Sequence, residues 1–156
     1  MVNLIKIFKI IGLILFLKLT GKVFGVEFDS ALVIIDMQPG FKRSERVVAA
    51  VCEEVQKRIQ NKGHIVIIET KTRRRAFGDT YPAILEACRD YPFVSPRFKA
   101  QNGGSFEVLE ALRSGSASGA LPSVVRVVGG YAGQCLEQTV VGLSRAVRRE
   151  ESDMRI

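Results

Sequence analysis

The sequence predicts an α/β fold of three layers, α-β-α, around a parallel Rossmann-like sheet, and two observations support this. Short continuous apolar runs recur along the chain, as in ALVIID at 31–36 and HIVIIE at 64–69. Such runs are typical of parallel strands that are covered on both faces. A segment with helical spacing of apolar residues follows each run. This alternation predicts strands joined by right-handed crossover helices.

The predicted elements follow one another without an internal repeat. Strands are predicted at 31–36, 64–69, 93–98 and 123–130, and helices at 45–59, 81–89, 105–113 and 135–149. Ser44 is the predicted N-cap of the first helix, and Gly63 is predicted as its C′ stop. Pro82 is compatible with the first turn of the second helix, whereas Pro96 interrupts the third strand.

Residues 1–25 are predicted to be a signal peptide or an N-terminal membrane anchor that precedes a single domain at 26–156. Lys6 and Lys9 form a basic start, 10–17 is an apolar run, and Val23 and Gly25 suit a cleavage site. The alternative is an interfacial amphipathic helix or an upstream start on a cytosolic protein. We therefore expect an exported or membrane-associated protein if this segment targets the chain, and a cytoplasmic protein otherwise.

The composition is that of an ordinary globular domain, with 156 residues, 47% hydrophobic and 25% charged. The net charge of +7 is compatible with an anionic substrate, a membrane surface or nucleic acid. The basic residues are scattered except for KTRRR at 71–75, which no aromatic residue interrupts. This pattern favours a solvated loop, and we expect no nucleic-acid partner.

The histidine and cysteine content excludes several kinds of site. His64 is the one histidine, which excludes a multi-histidine metal site, and its place before an apolar run predicts a strand-entry residue. Three cysteines without a CxxC pair predict neither a disulfide framework nor a zinc site. Cys52 lies on an apolar helical stripe and is predicted to pack in the core. We expect no metal and no other cofactor.

Chemically useful side chains follow the ends of three predicted strands. Asp36, Lys99 and Cys135 each lie at or just past such an end, where parallel sheets bind ligands. Cys135 follows the turn GGYAGQC and is expected in the first turn of a helix, whose partial positive charge would favour the thiolate. Gly129, Gly130 and Gly133 would permit tight or left-handed backbone there. The alternative is a buried structural cysteine in a glycine-rich turn.

Three segments resemble the isochorismatase-like cysteine hydrolase superfamily, which includes nicotinamidases, N-carbamoylsarcosine amidase-like enzymes and isochorismatases. They are ALVIIDMQPGF at 31–41, FKAQNGGSF at 98–106 and VVGGYAGQCLEQTV at 127–140. The resemblance implies that Cys135 attacks an amide-like carbonyl to form a thioester. It gives Asp36 the role of general base and acid, and Lys99 that of stabilising the thiolate.

The resemblance also implies residues around the nucleophile and the substrate. Gly130, Tyr131 and Ala132 would form the oxyanion turn, with the amides of Ala132 and Cys135 as the oxyanion hole. Phe41 is expected to bind substrate, and Arg73 in the basic loop could meet a substrate carboxylate. The partners implied are a small-molecule substrate and further copies of the chain in a homo-oligomer, with possible membrane association through 1–25.

The departures from the family pattern narrow the expected activity. Glu69 is followed by TKTRRRAF, without the histidines of the nicotinamidase metal motif. Cys135 favours hydrolysis of an amide or related C–N bond over the vinyl-ether chemistry of isochorismatases proper. The family domain normally continues beyond the nucleophile helix, so we expect a partial domain whose sheet is incomplete at its C-terminus.

Two alternatives remain beside the hydrolase. A degenerate, non-catalytic isochorismatase-like protein could act in binding or at a membrane, as the shortened domain and the changed residues at 132 and 133 suggest. A nucleotide-binding Rossmann-like domain would need a glycine-rich turn after the first strand. The sequence there, DMQPGF, has one glycine, so this alternative is weak.

Overall fold

The computed structural model describes residues 26–73, 76–130, 132–149 and 154–156. The predicted alternation of strands and helices is confirmed. The strands are β1 (Ser30–Ile35), β2 (His64–Thr70), β3 (Val94–Lys99) and β4 (Val124–Gly129), and the helices are α1 (Glu45–Gln60), α2 (Pro82–Ala87), α3 (Ser105–Gly115) and α4 (Glu137–Arg149). A 3-10 turn at Pro39–Phe41 and a π-helical turn at Ala132–Leu136 complete these elements.

The predicted targeting segment at 1–25 lies outside the described residues. Among the helices of the described ranges, none is both long enough and apolar enough to cross a membrane.

The four strands form one parallel sheet in the order β3-β2-β1-β4. The chain runs outward from β1 through β2 to β3, and then returns to the other side of β1 as β4. This reversal makes β1 and β4 neighbours at the topological switch point of the sheet. Ligands of open α/β sheets bind beyond the carboxyl ends of the strands at such a point.

Two apolar cores cover the two faces of the sheet and give the predicted three layers. Alternate residues of β1 and β2 pack against α1 and α2 on one face, including Leu32, Ile34, Ile65 and Ile67. The intervening residues pack against α3 and α4 on the other face, including Ala31, Val33, Ile35 and Val66. Both strands are thus covered on both faces, which explains their continuous apolar runs. Cys52 and Cys88 belong to the core on the α1 and α2 side, as predicted for Cys52.

Pro96 lies within β3, so the predicted interruption of this strand is wrong. The carbonyls of Phe93 and Lys99 accept hydrogen bonds from Ile65 and Lys71 of the β2 side, at 2.9 and 3.0 Å. Successive residues of a strand direct their backbone N–H and C=O groups to opposite edges of the strand. The backbone of Phe93 and Lys99 faces β2, so the nitrogen of Pro96 faces the outer edge. A proline is tolerated at such an edge, because no ladder hydrogen bond is lost there.

The end of α1 differs from its prediction. Lys62, and not Gly63, adopts a left-handed conformation, with a φ of 52°. Gly63 is required for a different reason, because a Cβ atom there would lie 2.7 Å from the carbonyl oxygen of Ser30. The predicted start of the helix is confirmed, since the side chain of Ser44 accepts a hydrogen bond from the amide of Val47.

The last described residues lie against the outer edge of β4. The amide of Val125 donates to the carbonyl of Arg155 at 2.7 Å, and the amide of Arg155 donates to Ser123 at 2.8 Å. Arg155 therefore forms a parallel bridge with Val124, while Met154 packs into the core on the α3 and α4 side.

Candidate active site

Asp36 is the first residue after β1, and its backbone turns the chain sharply away from the sheet. Its φ of 53° lies in the left-handed region, which aspartate adopts more readily than most non-glycine residues. Its amide donates to the carbonyl of Ile68 at 3.0 Å, which holds the turn against β2. The carboxylate is thereby fully buried beneath the loops at the carboxyl ends of the strands.

Lys99 is the last residue of β3, and its side chain reaches back across the end of β2. Its Nζ lies 3.0 Å from Oδ2 of Asp36, and it donates to the carbonyls of Gln101 and Asn102 at 3.0 and 3.1 Å. A lysine ammonium has three N–H donors, and the two carbonyls take two of them. A buried ion pair persists only when further hydrogen bonds offset the loss of water, and these carbonyls supply them.

Cys135 lies in the π-helical turn Ala132–Leu136, which precedes α4. The prediction that Cys135 belongs to the α-helix itself is therefore wrong. Its side chain is buried. The charges of Asp36 and Lys99, and a hydrogen bond with each, act on its thiol, so it lies beside both residues. The structure thus brings the three candidate residues together at one end of the sheet.

The expected preference for the thiolate is wrong. Burial raises the pKa of Cys135 above its usual range, and the hydrogen bond to Asp36 and the charge of Asp36 raise this pKa further. The charge and hydrogen bond of Lys99 lower the pKa, but by less. The resting side chain at neutral pH is therefore the thiol, with a carboxylate beside it that can accept the proton.

None of the three glycines of the turn adopts a left-handed backbone, and close packing requires two of them, Gly129 and Gly130, whereas Gly133 has open space around it. Among the described glycines, positive φ occurs at Gly78 and Gly119. A Cβ atom at Gly129 would lie 2.6 Å from the carbonyl oxygen of Ile35, and one at Gly130 would overlap the guanidinium of Arg43. Tyr131 lies outside the described residues, and Ala132 begins the π-helical turn.

Thr139 connects this turn to the loop that follows β3. Its hydroxyl donates to the carbonyl of Cys135 at 2.7 Å and accepts from the amide of Gly104 at 3.0 Å. Thr139 is fully buried, so both bonds are shielded from water. The position of Cys135 is therefore tied to the backbone that carries Lys99.

Two residues that the sequence interpretation left out hold Asp36 in place. The hydroxyl of Thr70, at the end of β2, donates to Oδ1 of Asp36 at 2.7 Å. Gln38 then fixes Thr70, because its Oε1 accepts from the amide of Thr70 at 2.7 Å and its Nε2 donates to the carbonyl of Thr70 at 3.3 Å. Both residues lie at the same sheet edge as Asp36, which is the pattern that could have revealed them.

A cavity of about 280 Å³ opens beside Cys135. Phe41 and Phe77 form one wall as a stacked pair, with ring centroids 4.5 Å apart. The other described residues that line it are Gly40, Thr70, Thr72, Ala100, Gln101, Asn102 and Gln134. Phe41, for which the sequence predicts substrate binding, lines this cavity, whereas Arg73 is exposed and is not among these lining residues.

Glu69 and His64 each make hydrogen bonds to neighbouring residues of the fold. Oε1 of Glu69 accepts from the amide and hydroxyl of Thr80 at 2.7 and 2.9 Å. His64 begins β2 at the opposite end of the sheet from Cys135, as predicted, and bonds to the hydroxyl of Ser95 at 2.8 Å. Within the described ranges, no group of three or more His, Cys, Asp or Glu residues is arranged to hold a metal ion.

Comparison with known proteins finds similarity in structure alone. Neither a protein-family model nor a curated protein sequence matches this chain. Among solved structures, a nicotinamidase from Staphylococcus aureus matches with a TM-score of 0.61 at 16% identity, over 76% of this chain and 76% of that chain.

Two further structures agree with this match. A pyrazinamidase/nicotinamidase from Streptococcus mutans has a TM-score of 0.58 at 14% identity, over 75% of this chain and 80% of that one. An isochorismatase from Pseudomonas putida has a TM-score of 0.57 at 14% identity, over 83% and 72%. At these identities the similarity concerns the fold, and the chain has the isochorismatase-like fold.

Proposed function

We propose that this chain is a cysteine-dependent hydrolase of a small-molecule amide or related C–N bond, acting through a thioester intermediate on Cys135. The main support is that the Cys135 thiol, the Asp36 carboxylate and the Lys99 ammonium lie in contact with one another beside a cavity. The nucleophile and the base lie at the switch point between β1 and β4, where this fold type binds ligands, and the cation reaches them from the end of β3.

In the proposed first half-reaction, Asp36 accepts the proton of the Cys135 thiol as Sγ attacks the substrate carbonyl carbon. The raised pKa of Cys135 fits this order, because the thiol is activated by proton transfer when substrate is present. The first turn of a helix leaves backbone N–H groups without intrahelical partners, so the amides of Ala132 and Cys135 can hold the oxyanion. Asp36 then gives the proton to the leaving nitrogen as the C–N bond breaks, which leaves a thioester.

In the second half-reaction, Asp36 accepts a proton from water as the water oxygen attacks the thioester carbonyl. The C–S bond breaks, the carboxylic acid is released, and the proton returns from Asp36 to the sulfur. Lys99 stabilises negative charge on Asp36 and on the sulfur throughout, because it lies 3.0 Å from the carboxylate and acts on the thiol as well.

The cavity favours a small, uncharged substrate. Its volume of about 280 Å³ is at the lower end for ligand sites, and its described lining contains no charged side chain. The stacked rings of Phe41 and Phe77 offer an apolar wall, and Thr72, Asn102 and Gln134 offer hydrogen bonds to a carbonyl or amide group. Arg73 is exposed and lies outside this lining, so we propose that it meets a charged group of the substrate outside the cavity.

The test is a screen of small primary amides for ammonia release by the full chain, followed by mass spectrometry of the intermediate. We expect turnover of at least one amide and an acyl adduct on Cys135 that hydroxylamine removes. The C135A variant should lose both. The C88A variant is a matched control, because Cys88 is also a buried cysteine whose pKa is raised, to about 11, and lies in the other core.

Two outcomes would contradict the proposal. Turnover that survives in C135A would place the chemistry elsewhere. Absence of turnover, together with absence of any acyl or alkyl adduct on Cys135 in folded protein, would favour the non-catalytic binding protein instead.

A further inference from the structure

Three exposed side chains form a stripe along the outer face of α4. The inner face of this helix packs on the sheet through buried residues that are four positions apart: Thr139, Leu143 and Val147. Glu137, Val141 and Arg145 repeat with the same spacing but begin two residues earlier, which is a rotation of about 200° around a helix. They therefore face outward, and all three are exposed. We call these three residues the α4 stripe.

The two charged residues of the α4 stripe have no ion-pair partner within the part of the chain that the structure describes. Other surface charges are paired, as Glu54 is with Lys57 at 2.9 Å. The carboxylate of Glu137 and the guanidinium of Arg145 are thus available for contacts with another molecule.

Apolar surface accompanies these charges. Val141 is 39% exposed between them, and Phe106 at the start of α3 is 73% exposed. A Cβ atom at Gly142 would overlap the side chain of Ser105, so the first turn of α3 packs against the middle of α4. Phe106 is thus at the level of Val141 on the neighbouring helix. Exposed apolar and aromatic side chains that lie together are typical of the centre of a protein interface.

The α4 stripe is complementary to a reversed copy of itself. Along α4 its order is negative, apolar, positive, and along an antiparallel α4 the order is positive, apolar, negative. In a twofold-symmetric contact, a residue of one copy meets its partner residue in the other copy twice. An axis through Val141 therefore places Glu137 of each copy against Arg145 of the other copy.

The remaining cations of α4 are compatible with this arrangement. Arg148 and Arg149 follow the α4 stripe and are exposed. With the axis at Val141, they lie opposite positions 134 and 133, where Gln134 and Gly133 carry no charge. A parallel arrangement would instead place equal charges opposite each other, which is unfavourable.

The α4 stripe borders a groove beside the candidate active site. This groove has a volume of about 560 Å³ and is lined by the stripe, by Gln101 and by glycines that include Gly103 and Gly133. Gln101 also lines the cavity next to Cys135. A molecule docked on the α4 stripe would therefore lie beside that cavity.

We propose that the α4 stripe is a self-association surface, on which a second copy of this chain docks with its own α4 in antiparallel orientation. The assembly is a twofold-symmetric dimer held by two Glu137–Arg145 pairs around Val141. It does not depend on the chemistry proposed for Cys135.

The test is sedimentation velocity of the full chain over a range of concentrations. We expect a reversible monomer–dimer equilibrium. E137R and R145E should each weaken dimerisation by about tenfold, because each places like charges together on both sides of the axis. R89E alters an exposed arginine on α2 and should dimerise as the parent chain does. Thermal unfolding followed by circular dichroism checks that each variant is folded.

A mixture of the two charge-reversal variants tests the pairing itself. In a heterodimer of E137R with R145E, both pairs across the axis again join opposite charges, so the equimolar mixture should dimerise nearly as well as the parent chain. Contacts within one chain cannot produce this recovery. A chain that stays monomeric at all concentrations, a dimer that neither variant weakens, or a mixture that associates no better than each variant alone would each overturn the proposal.

Discussion

Lys99 and Asp36 form an ion pair of 3.0 Å in which both side chains are 1% exposed. The two residues stand at the ends of β3 and β1, with β2 between them. The pair therefore ties the loop ends of three strands together at the candidate active site. Its two charges depend on each other, because neither has access to bulk water.

Removal of one charge from this pair is expected to destabilise the fold. K99M leaves the Asp36 carboxylate buried without its cation, which typically costs about 3–5 kcal/mol of unfolding free energy. Urea denaturation at pH 7 measures the loss. K57M is the matched control, because Lys57 pairs with Glu54 at 2.9 Å on the surface, where such pairs contribute less than about 1 kcal/mol. The double variant D36N/K99M should recover part of the loss, and equal stability of K99M and K57M would contradict this interpretation.

The D36N variant is expected to make Cys135 more reactive toward iodoacetamide while it abolishes hydrolysis. The substitution removes the negative charge that helps to raise the pKa of Cys135. Each unit by which this pKa falls increases the thiolate fraction at pH 7 by about tenfold. Peptide mapping after timed alkylation, with Cys52 as internal reference, measures the rate. A slower or unchanged rate at Cys135 would contradict the described action of Asp36 on the thiol.

Thr70 is expected to be required for the stability of the buried carboxylate. T70V removes the hydroxyl that donates to Asp36 at 2.7 Å, and a hydrogen bond to a charged group contributes about 1.5–3 kcal/mol. T70S keeps the donor and should restore most of the stability. Urea denaturation of the three proteins compares them, and a loss in T70S equal to that in T70V would indicate packing as the cause.

Thr139 is expected to protect the amide of Gly104 from hydrogen exchange. T139V removes the acceptor of that amide and the donor to the carbonyl of Cys135, without a large change in volume. Native-state exchange should accelerate at Gly104, whereas the amides of β1 should keep their protection. The T139S variant is the control that retains the hydroxyl, and uniform acceleration across the sheet in T139V would indicate global destabilisation instead.

His64 is expected to make the protein less stable in mild acid. Its folded pKa is about 4, below the ordinary value of 6.5, so the unfolded chain binds a proton in this window that the folded chain does not. The contribution is complete above pH 6.5 and is lost as the pH falls toward 4, by about 3 kcal/mol in total. Unfolding free energies of the parent chain and H64Q at pH 7.5 and 4.5 measure it. A parent chain that loses no more stability than H64Q would contradict the assignment.

The sequence was sufficient to predict the order of the elements, because burial on both faces leaves a continuous apolar run in a strand such as β2. It also predicted that Asp36, Lys99 and Cys135 share one sheet edge, since parallel strands end on the same side. The sequence did not predict that the pKa of Cys135 is raised, because burial and the neighbours of the thiol in the folded protein determine this shift.

Contacts between distant segments were also beyond the sequence. Gly63 and Gly129 must be glycine because the carbonyl oxygens of Ser30 and Ile35 lie too close to leave room for a Cβ atom. These distances between remote parts of the chain cannot be read from a single sequence. For Thr70, the sequence places the residue at the same sheet edge as Asp36, but its hydrogen bond to the Asp36 carboxylate is known only from the structure.

The proline in β3 has a consequence for the behaviour of many copies of the chain together. An uncovered strand edge is a template on which another molecule can continue the sheet, and repetition of that step produces aggregates. At Pro96 the outward-facing backbone has no N–H to offer, so an incoming strand would leave one of its own carbonyls unbonded. This single residue therefore opposes the addition of a further strand along β3.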